Sequence, residues 1–179
     1  MTAVLVKEGF EGVSVRKVAA RAGVSIGAVQ HHFPTKDAML TAAMDRASAD
    51  FQARLTARIP SDASAETALR AVTDELLGLG PERREASVLW LARLARASVD
   101  EGAARMHARD WQEIEDVLAR LLAAASPQRR PGNHGDDAAQ LLALLDGLAM
   151  AALTEPKRMP PERAERILAA ALDRLLTDS

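Results

Sequence analysis

The chain of 179 residues contains no cysteine, which excludes disulfide bridges and thiolate metal sites. Aromatic residues make up only 3% of it, and alanine and leucine dominate, a composition that favours helices packed closely on one another. No long alternating run of β-branched residues occurs, so no sheet is expected. The start carries Lys7 and Glu8 and lacks a long apolar run, so no signal peptide is read and a cytoplasmic location is expected. There is no HExxH, no glycine-rich phosphate loop and no nucleophile elbow, so neither catalytic residues nor a cofactor are expected. A large excess of one charge is absent as well. The net charge of −2 argues against a general nucleic-acid coat protein.

What charge there is divides unevenly. Residues 1–46 hold six Lys or Arg against four Asp or Glu, and the remainder holds seventeen against twenty-one. That fits a small basic head on an acidic body. Hydrophobic residues are 48% of the chain, enough for a sizeable core.

The stretch from Ser14 to Phe33, SVRKVAARAGVSIGAVQHHF, organises the head. Val15, Val18, Ala19 and Ala22 fall at helical spacing and form one apolar face; Ile26, Val29 and Phe33 form another. Ser14 and Ser25 stand where side-chain oxygens cap helix starts. Gly23 stands where the chain must turn sharply. Two helices joined by so short a turn make a helix-turn-helix, whose second helix can enter a DNA major groove. Its outer face carries Gly27, Ala28, Gln30 and His31. The two small residues allow close approach, Gln30 suits adenine, and His31 can donate to a base or a phosphate.

The longer run from Gly9 to Leu40 strongly resembles the DNA-binding domain of the TetR family of bacterial transcriptional regulators. The resemblance rests on Gly9-Phe10, Gly12, Val18-Ala19, Ala22-Gly23-Val24-Ser25, Gly27, His32-Phe33 and Lys36 followed by Leu40. The chain departs from the family where a tyrosine usually stands, at Gln30, and in a first helix shortened to Thr2–Glu8. Lys36 opens the next helix, where ammonium and backbone N–H groups can both face a phosphate. The resemblance implies that role for it. On this reading Ser14, Ser25, Gln30, His31 and Lys36 anchor phosphates, while Arg16, Lys17, Gly27, Ala28 and Gln30 lie near bases. His31 and His32 with Asp37 have the residue types of a metal site, but His32 beside Phe33 reads as packing, and no metal is expected.

In the short first helix Val4 and Leu5 are available to the core, Gly9 caps the helix, and Phe10 and Val13 enter the same core. After the head, six further helices are expected, nine in all, giving an all-α chain. A long helix over about 36–58 has Met39, Leu40, Met44, Phe51 and Leu55 inside and joins head to body. Helices over about 65–79 and 81–99 follow, the second opened by Pro81. Leu69, Val72, Leu76 and Leu77 face inward from the first, and Val88, Leu91, Leu94 and Ala95 from the second. Asp100-Glu101-Gly102 marks the next boundary, and a helix over about 103–125 ends at the loop SPQRRPGNHG, Ser126 to Gly135, in which His134 reads as a surface histidine. Glu113, Glu115 and Asp116 read as a solvated face.

The helix over about 136–153 is apolar nearly all round from Ala138 to Leu153, yet too short and interrupted to span a membrane. One face can pack on the body and the other needs a partner, with Gly147 allowing close approach. With the last helix, about 161–176, it makes half of a four-helix homodimer interface. This C-terminal region also resembles the BetI-like branch of the family. The resemblance implies an effector pocket in the body, for which Trp90, Leu94, Met106, His107, Trp111 and Met150 are the candidate lining.

The expected protein is therefore a dimeric, DNA-binding transcriptional regulator. Residues 1–46 form a helix-turn-helix domain and 47–179 a helical effector-binding and dimerisation domain, and the partners are an operator and a small-molecule effector. The sign expected from the resemblance is repression. The rival is a helical ligand-binding protein whose shortened head does not bind DNA.

Overall fold

A computed structural model describes residues 1, 3, 4, 7, 12–80, 83–126 and 134–177. The described residues form eight α-helices and no strand: α1 (Val15–Ala22), α2 (Ile26–His32), α3 (Lys36–Arg58), α4 (Ala65–Leu77), α5 (Arg84–Ala97), α6 (Glu101–Ala125), α7 (His134–Thr154) and α8 (Pro161–Thr177). The expected all-α architecture is present. Of the expected leading helix only Ala3, Val4 and Lys7 are described. The expectations for Leu5, Gly9, Phe10, the opening Pro81 and loop residues 127–133 lie outside the described residues.

Helix starts follow local chemistry. The side chains of Ser14, Ser25, Thr35 and Ser64 accept backbone N–H bonds from Lys17, Ala28, Ala38 and Thr67 at 3.0–3.3 Å. Each satisfies a donor that has no partner within its own helix. Asp100 does the same for Ala103 at 2.8 Å, so α6 begins at Glu101, two residues earlier than expected. The start of α7 is also earlier, at His134, which is half-buried with its Nδ1 enclosed, in place of the expected surface histidine.

Two cores follow from the apolar faces. The head core joins Val4, Val13, Val18, Ala19, Val29, Met39 and Leu40 with one residue from much later in the chain, Leu89 of α5, only 1% exposed. Val88 and Ala92 of the same helix pack against this core. Ala95, expected inside, is exposed. Seven positions on from Val88, Ala95 lies nearly in line with it on the helix but does not join the head core.

The body core is leucine-rich, with Leu69, Leu77, Leu118, Leu122, Leu141 and Leu145 all nearly inaccessible. Within it α6 packs on α4, α5 and α7, and α8 lies on α7. At 21 residues, α7 is long and apolar enough to span a bilayer by length and composition alone, which corrects the expectation that it is too short. Its Leu141, Leu142, Leu145, Leu148 and Ala151 are buried in the body core. Its outward residues, Gln140, Ala143, Gly147, Met150 and Thr154, recur every three or four positions and form one exposed stripe.

One buried charge stands at the joint of head and body. The Glu75 side chain is 1% exposed and meets Arg54 of α3 and, at 2.9 Å, Arg83. Arg58 of α3 pairs with neighbouring Asp74 at 2.5 Å and stands 3.8 Å from Glu75. A carboxylate this deeply enclosed requires such cations, since an unpaired buried charge is strongly unfavourable.

Leu89→Ala is expected to lower the unfolding free energy by about 2–5 kcal/mol in urea titrations, the usual cost of emptying a closed leucine site. Ala95→Ser on the exposed side of the same helix should stay within about 0.5 kcal/mol of the wild type.

Candidate nucleic-acid interface

The turn between α1 and α2 is set by Gly23, at φ 69° and ψ 28°. Its N–H bonds back to Ala20 O at 3.4 Å and that of Val24 to Ala19 O at 3.1 Å, which closes α1 in a Schellman motif. A side chain at this φ is strained, so glycine is the residue the turn requires.

The exposed surface this turn creates lies mostly on α2. Gly27, Ala28, Gln30 and His31 are all exposed, and Val29 is the one buried residue of the helix. A Cβ added to Gly27 would meet only Ser25 Oγ, at 4.0 Å, so the backbone there is open to close approach. Ile26, expected in the core beside Val29, is 45% exposed, and Val24 before it 48%. Ala22, expected on the apolar face of α1, is exposed as well. A seven-residue helix has room for little more than one inward position per turn, and Val29 takes it.

Arg16 and Lys17 are exposed in the first turn of α1, whose cap Ser14 is half-buried. Ser25 is exposed, and while its Oγ accepts from Ala28 its own O–H remains able to donate. Lys36 is the first residue of α3, beside the cap Thr35. The acidic neighbour Asp37 is turned away to the body, where Arg96 of α5 grips it with two bonds of 2.5 and 3.1 Å. Arg96 also bonds Asp100 at 3.3 Å. The Asp37 bonds are the largest reason the guanidinium's pKa is raised. The negative charge closest to Lys36 in sequence is thus paired within the protein. His32 is exposed, with its ring edge-on to His31 at 5.2 Å and tilted against Phe33. No group of three metal-ligating side chains occurs among the described residues.

A second cluster lies in the body, between α5, α6 and α7. The indoles of Trp90 and Trp111 are nearly parallel, with centroids 6.5 Å apart. The His107 ring lies 4.3 Å from Trp111. Trp111 Nε1 donates to Asp146 Oδ2 at 2.9 Å. Arg93, 9% exposed, sits 5.8 Å from the centre of the Trp111 ring and pairs with Asp110 at 2.5 Å. Burial raises the Asp146 carboxyl above the ordinary carboxylate range, and the Trp111 bond only partly opposes this. Burial, and then the Arg93 charge, lower the His107 pKa, and its enclosed Nδ1 has no hydrogen-bond partner among the described residues.

Of the six residues expected to line a pocket, Trp90, His107 and Trp111 come together here, and Leu94 is half-buried on the same helix as Trp90. Met106 and Met150 do not join them: at 45% and 43% exposed they stand on outward stripes of α6 and α7. Sequence reasoning missed Asp146, Arg93 and Asp110. Asp146 did leave a signal, as the lone charge in the apolar run of α7.

Comparison with known proteins identifies the family of the chain. The profile described as bacterial regulatory proteins of the tetR family matches residues 2–43. The profile described as BetI-type transcriptional repressor, C-terminal, matches residues 65–177. The chain belongs to the TetR family of bacterial transcriptional regulators. This TetR-family chain has a BetI-type C-terminal domain, is a DNA-binding regulator, and is not an enzyme. It is 27% identical over 168 residues to the HTH-type transcriptional regulator PksA of Bacillus subtilis (strain 168), covering 92% of this chain and 80% of that protein. It is 28% identical over 171 residues to BetI of Burkholderia mallei, covering 94% and 85%. Among solved structures, a transcriptional regulator from Rhodococcus sp. RHA1 superposes with a TM-score of 0.84 at 35% identity, over 99% of this chain and 92% of that one. A regulator from Saccharomonospora viridis in complex with choline has the same fold, with a TM-score of 0.84 at 19% identity over 99% and 92%.

A carboxyl whose pKa is higher in the folded than in the unfolded regulator weakens the fold once pH rises past its unfolded value, because folding then works against ionisation. Asp146→Asn keeps an acceptor for Trp111 and removes that ionisation. It is expected to raise Tm at pH 7, with the gain shrinking as pH falls through the carboxylate range, measured by calorimetry at matched ionic strength.

Proposed function

We propose that this regulator is a ligand-responsive repressor that binds a near-palindromic operator as a homodimer, in the bacterial cytoplasm. Residues 1–46 act as the DNA-binding domain and 47–179 as the effector and dimerisation domain. Two heads then sit in successive major grooves, about 34–36 Å apart. Ser14, Ser25, His31 and Lys36 anchor phosphates, Gln30 contacts phosphate or base, and Arg16, Lys17, Gly27 and Ala28 lie near base edges. The observation that carries this reading is the open outer face of α2 on a family-typical head, with the charge of Asp37 paired to Arg96.

Dimerisation through α7 and α8 is supported by the exposed, uncharged stripe on α7, with Ala143, Gly147 and Met150 at its middle. Gly147 lies at its centre, and a Cβ there would meet nothing within 4 Å in the single chain. An effector site is supported by the cluster around Trp111, with Trp90, Leu94 and His107. The exposed Met106 and Met150 lie at its margin only if the body opens there or a second subunit covers them. Asp146 pairs with no cation among the described residues, and an indole face attracts cations. Together with the choline complex of the Saccharomonospora viridis regulator, this supports a small organic cation as effector. Binding would favour a head spacing that no longer matches the operator, by as much as the effector prefers that state.

Selection of bound fragments from random DNA, followed by affinity measurements across salt, tests the DNA reading. Lys36→Ala is expected to weaken all sequences alike and to reduce the slope of log K against log salt by about one. Gln30→Ala should cost about 1–3 kcal/mol and relax the preference at one base position. An unchanged salt slope in Lys36→Ala would remove its phosphate role.

Gly147→Arg tests the dimer. The variant is expected to keep its helical circular dichroism, sediment as a monomer, and lose about 10²-fold or more in operator affinity as the second head ceases to be tethered.

A further inference from the structure

The reading helix presents an isoleucine where a core residue was expected, and its position gives that side chain a use. Ile26 is the first residue of α2, directly after the cap Ser25, and is 45% exposed. Residues at the N-terminal end of such a helix are the ones that reach base edges. Around Ile26 the surface is unobstructed: Gly27 has no side chain, Ala28 is small and exposed, and Val24 is 48% exposed on the other flank. None of these four side chains can donate or accept a hydrogen bond. The one polar side chain at this end of the helix is the cap Ser25, whose Oγ is engaged by Ala28 N–H. In the major groove the one apolar group that distinguishes the bases is the C5-methyl of thymine.

We propose that Ile26 reads a thymine in each operator half-site by packing on its C5-methyl group. The inference rests on the assignment of α2 as the reading helix, and it adds a residue that the hydrogen-bonding inventory of the site leaves out. Ile26 and Gln30 are four positions apart and share a face, about 6 Å along the helix axis. The thymine thus lies within about two base pairs of the base that Gln30 contacts. The apolar area of Ile26 is covered only when the regulator is on DNA, so its exposure in the free chain is the cost of a specificity contact.

The test needs the operator selected by the wild-type regulator. Each thymine in one half-site is replaced in turn by deoxyuridine, which removes the methyl and leaves the hydrogen-bonding edge intact. Affinities are read by fluorescence anisotropy. One position is expected to weaken wild-type binding about fourfold, the equivalent of about 0.8 kcal/mol for one buried methyl-sized group at about 1.4 kcal/mol per tenfold. In Ile26→Ala, whose exposed site and improved helix propensity leave folding intact, the same replacement should have no effect, while Gln30→Ala retains it. Selection with Ile26→Ala should lose the thymine preference at that position alone. A flat uracil series on a genuine enriched site overturns the inference and leaves the DNA reading standing. So does a methyl effect that persists in Ile26→Ala, or an Ile26→Ala variant that loses its dimer contact in place of its base preference. No enriched sequence with the wild-type regulator removes the DNA reading, and this inference with it.

Discussion

The burial of Leu89 in the head core is the constraint on which the arrangement of the molecule depends. Leu89 belongs to α5, a body helix, yet it is enclosed by residues from the first forty positions of the chain. Without it the head would be two short helices and the first turns of α3 around a small set of valines with Ala19, Met39 and Leu40, and so small a core is marginal alone. The same docking surface carries Val88 and Ala92, and one turn further along Arg96 grips Asp37 at the start of α3. Apolar burial holds the head against α5, and the paired charges fix its rotation. The partly exposed ion pair contributes orientation more than stability.

Charge inside the body is handled in two ways. Glu75 is buried but compensated, with arginines from α3 and the start of α5 converging on it. It ties the long connecting helix to α4 by a contact that works only if all parties are in register. Asp146 is treated differently. It has one indole N–H for company, and burial holds its pKa up. Arg93, on the neighbouring helix α5, is committed to Asp110 and to the face of Trp111. A carboxyl left short of a cation beside two indoles is unfavourable for the fold, and perturbed groups of this kind cluster at functional sites.

The sequence carried the head almost whole, for physical reasons. Caps and turns are local, so Ser14, Ser25 and Gly23 could be assigned from their neighbours, and the structure has them in those roles. Periodicity found the body helices, because each presents a long apolar face to a common core. It failed where the helix is short or where a core ends. In α2 it put both Ile26 and Val29 inward, and only Val29 is buried. In α5 it placed Ala95 inside, in line with Val88, but the head core does not extend to that position. Met106 and Met150 were named as candidate lining of an effector pocket, and both lie on outward stripes. The bond between Asp37 and Arg96 joins residues 59 positions apart, and no local pattern announces such a pair.

The geometry of α5 explains how the two clusters would communicate under the proposed function. Successive residues on a helix are rotated by 100°, so Val88, Leu89, Ala92 and Arg96 form one stripe toward the head, and Trp90, Arg93 and Leu94 form the adjoining stripe toward the Trp111 cluster. A ligand cation on Trp111 competes for the ring face that the Arg93 guanidinium adjoins, and Arg93 can yield only if α5 shifts or its own bond to Asp110 breaks. A fourteen-residue helix does not bend to keep one stripe still while the other moves. Where it is α5 that shifts, Leu89 and Arg96 move with it, carrying the start of α3 and the reading helix behind it. The coupling needs no wire of intermediate residues, because both sites are faces of one rigid element. Its size is bounded by how much better the effector binds the shifted position of that element than the one seen here.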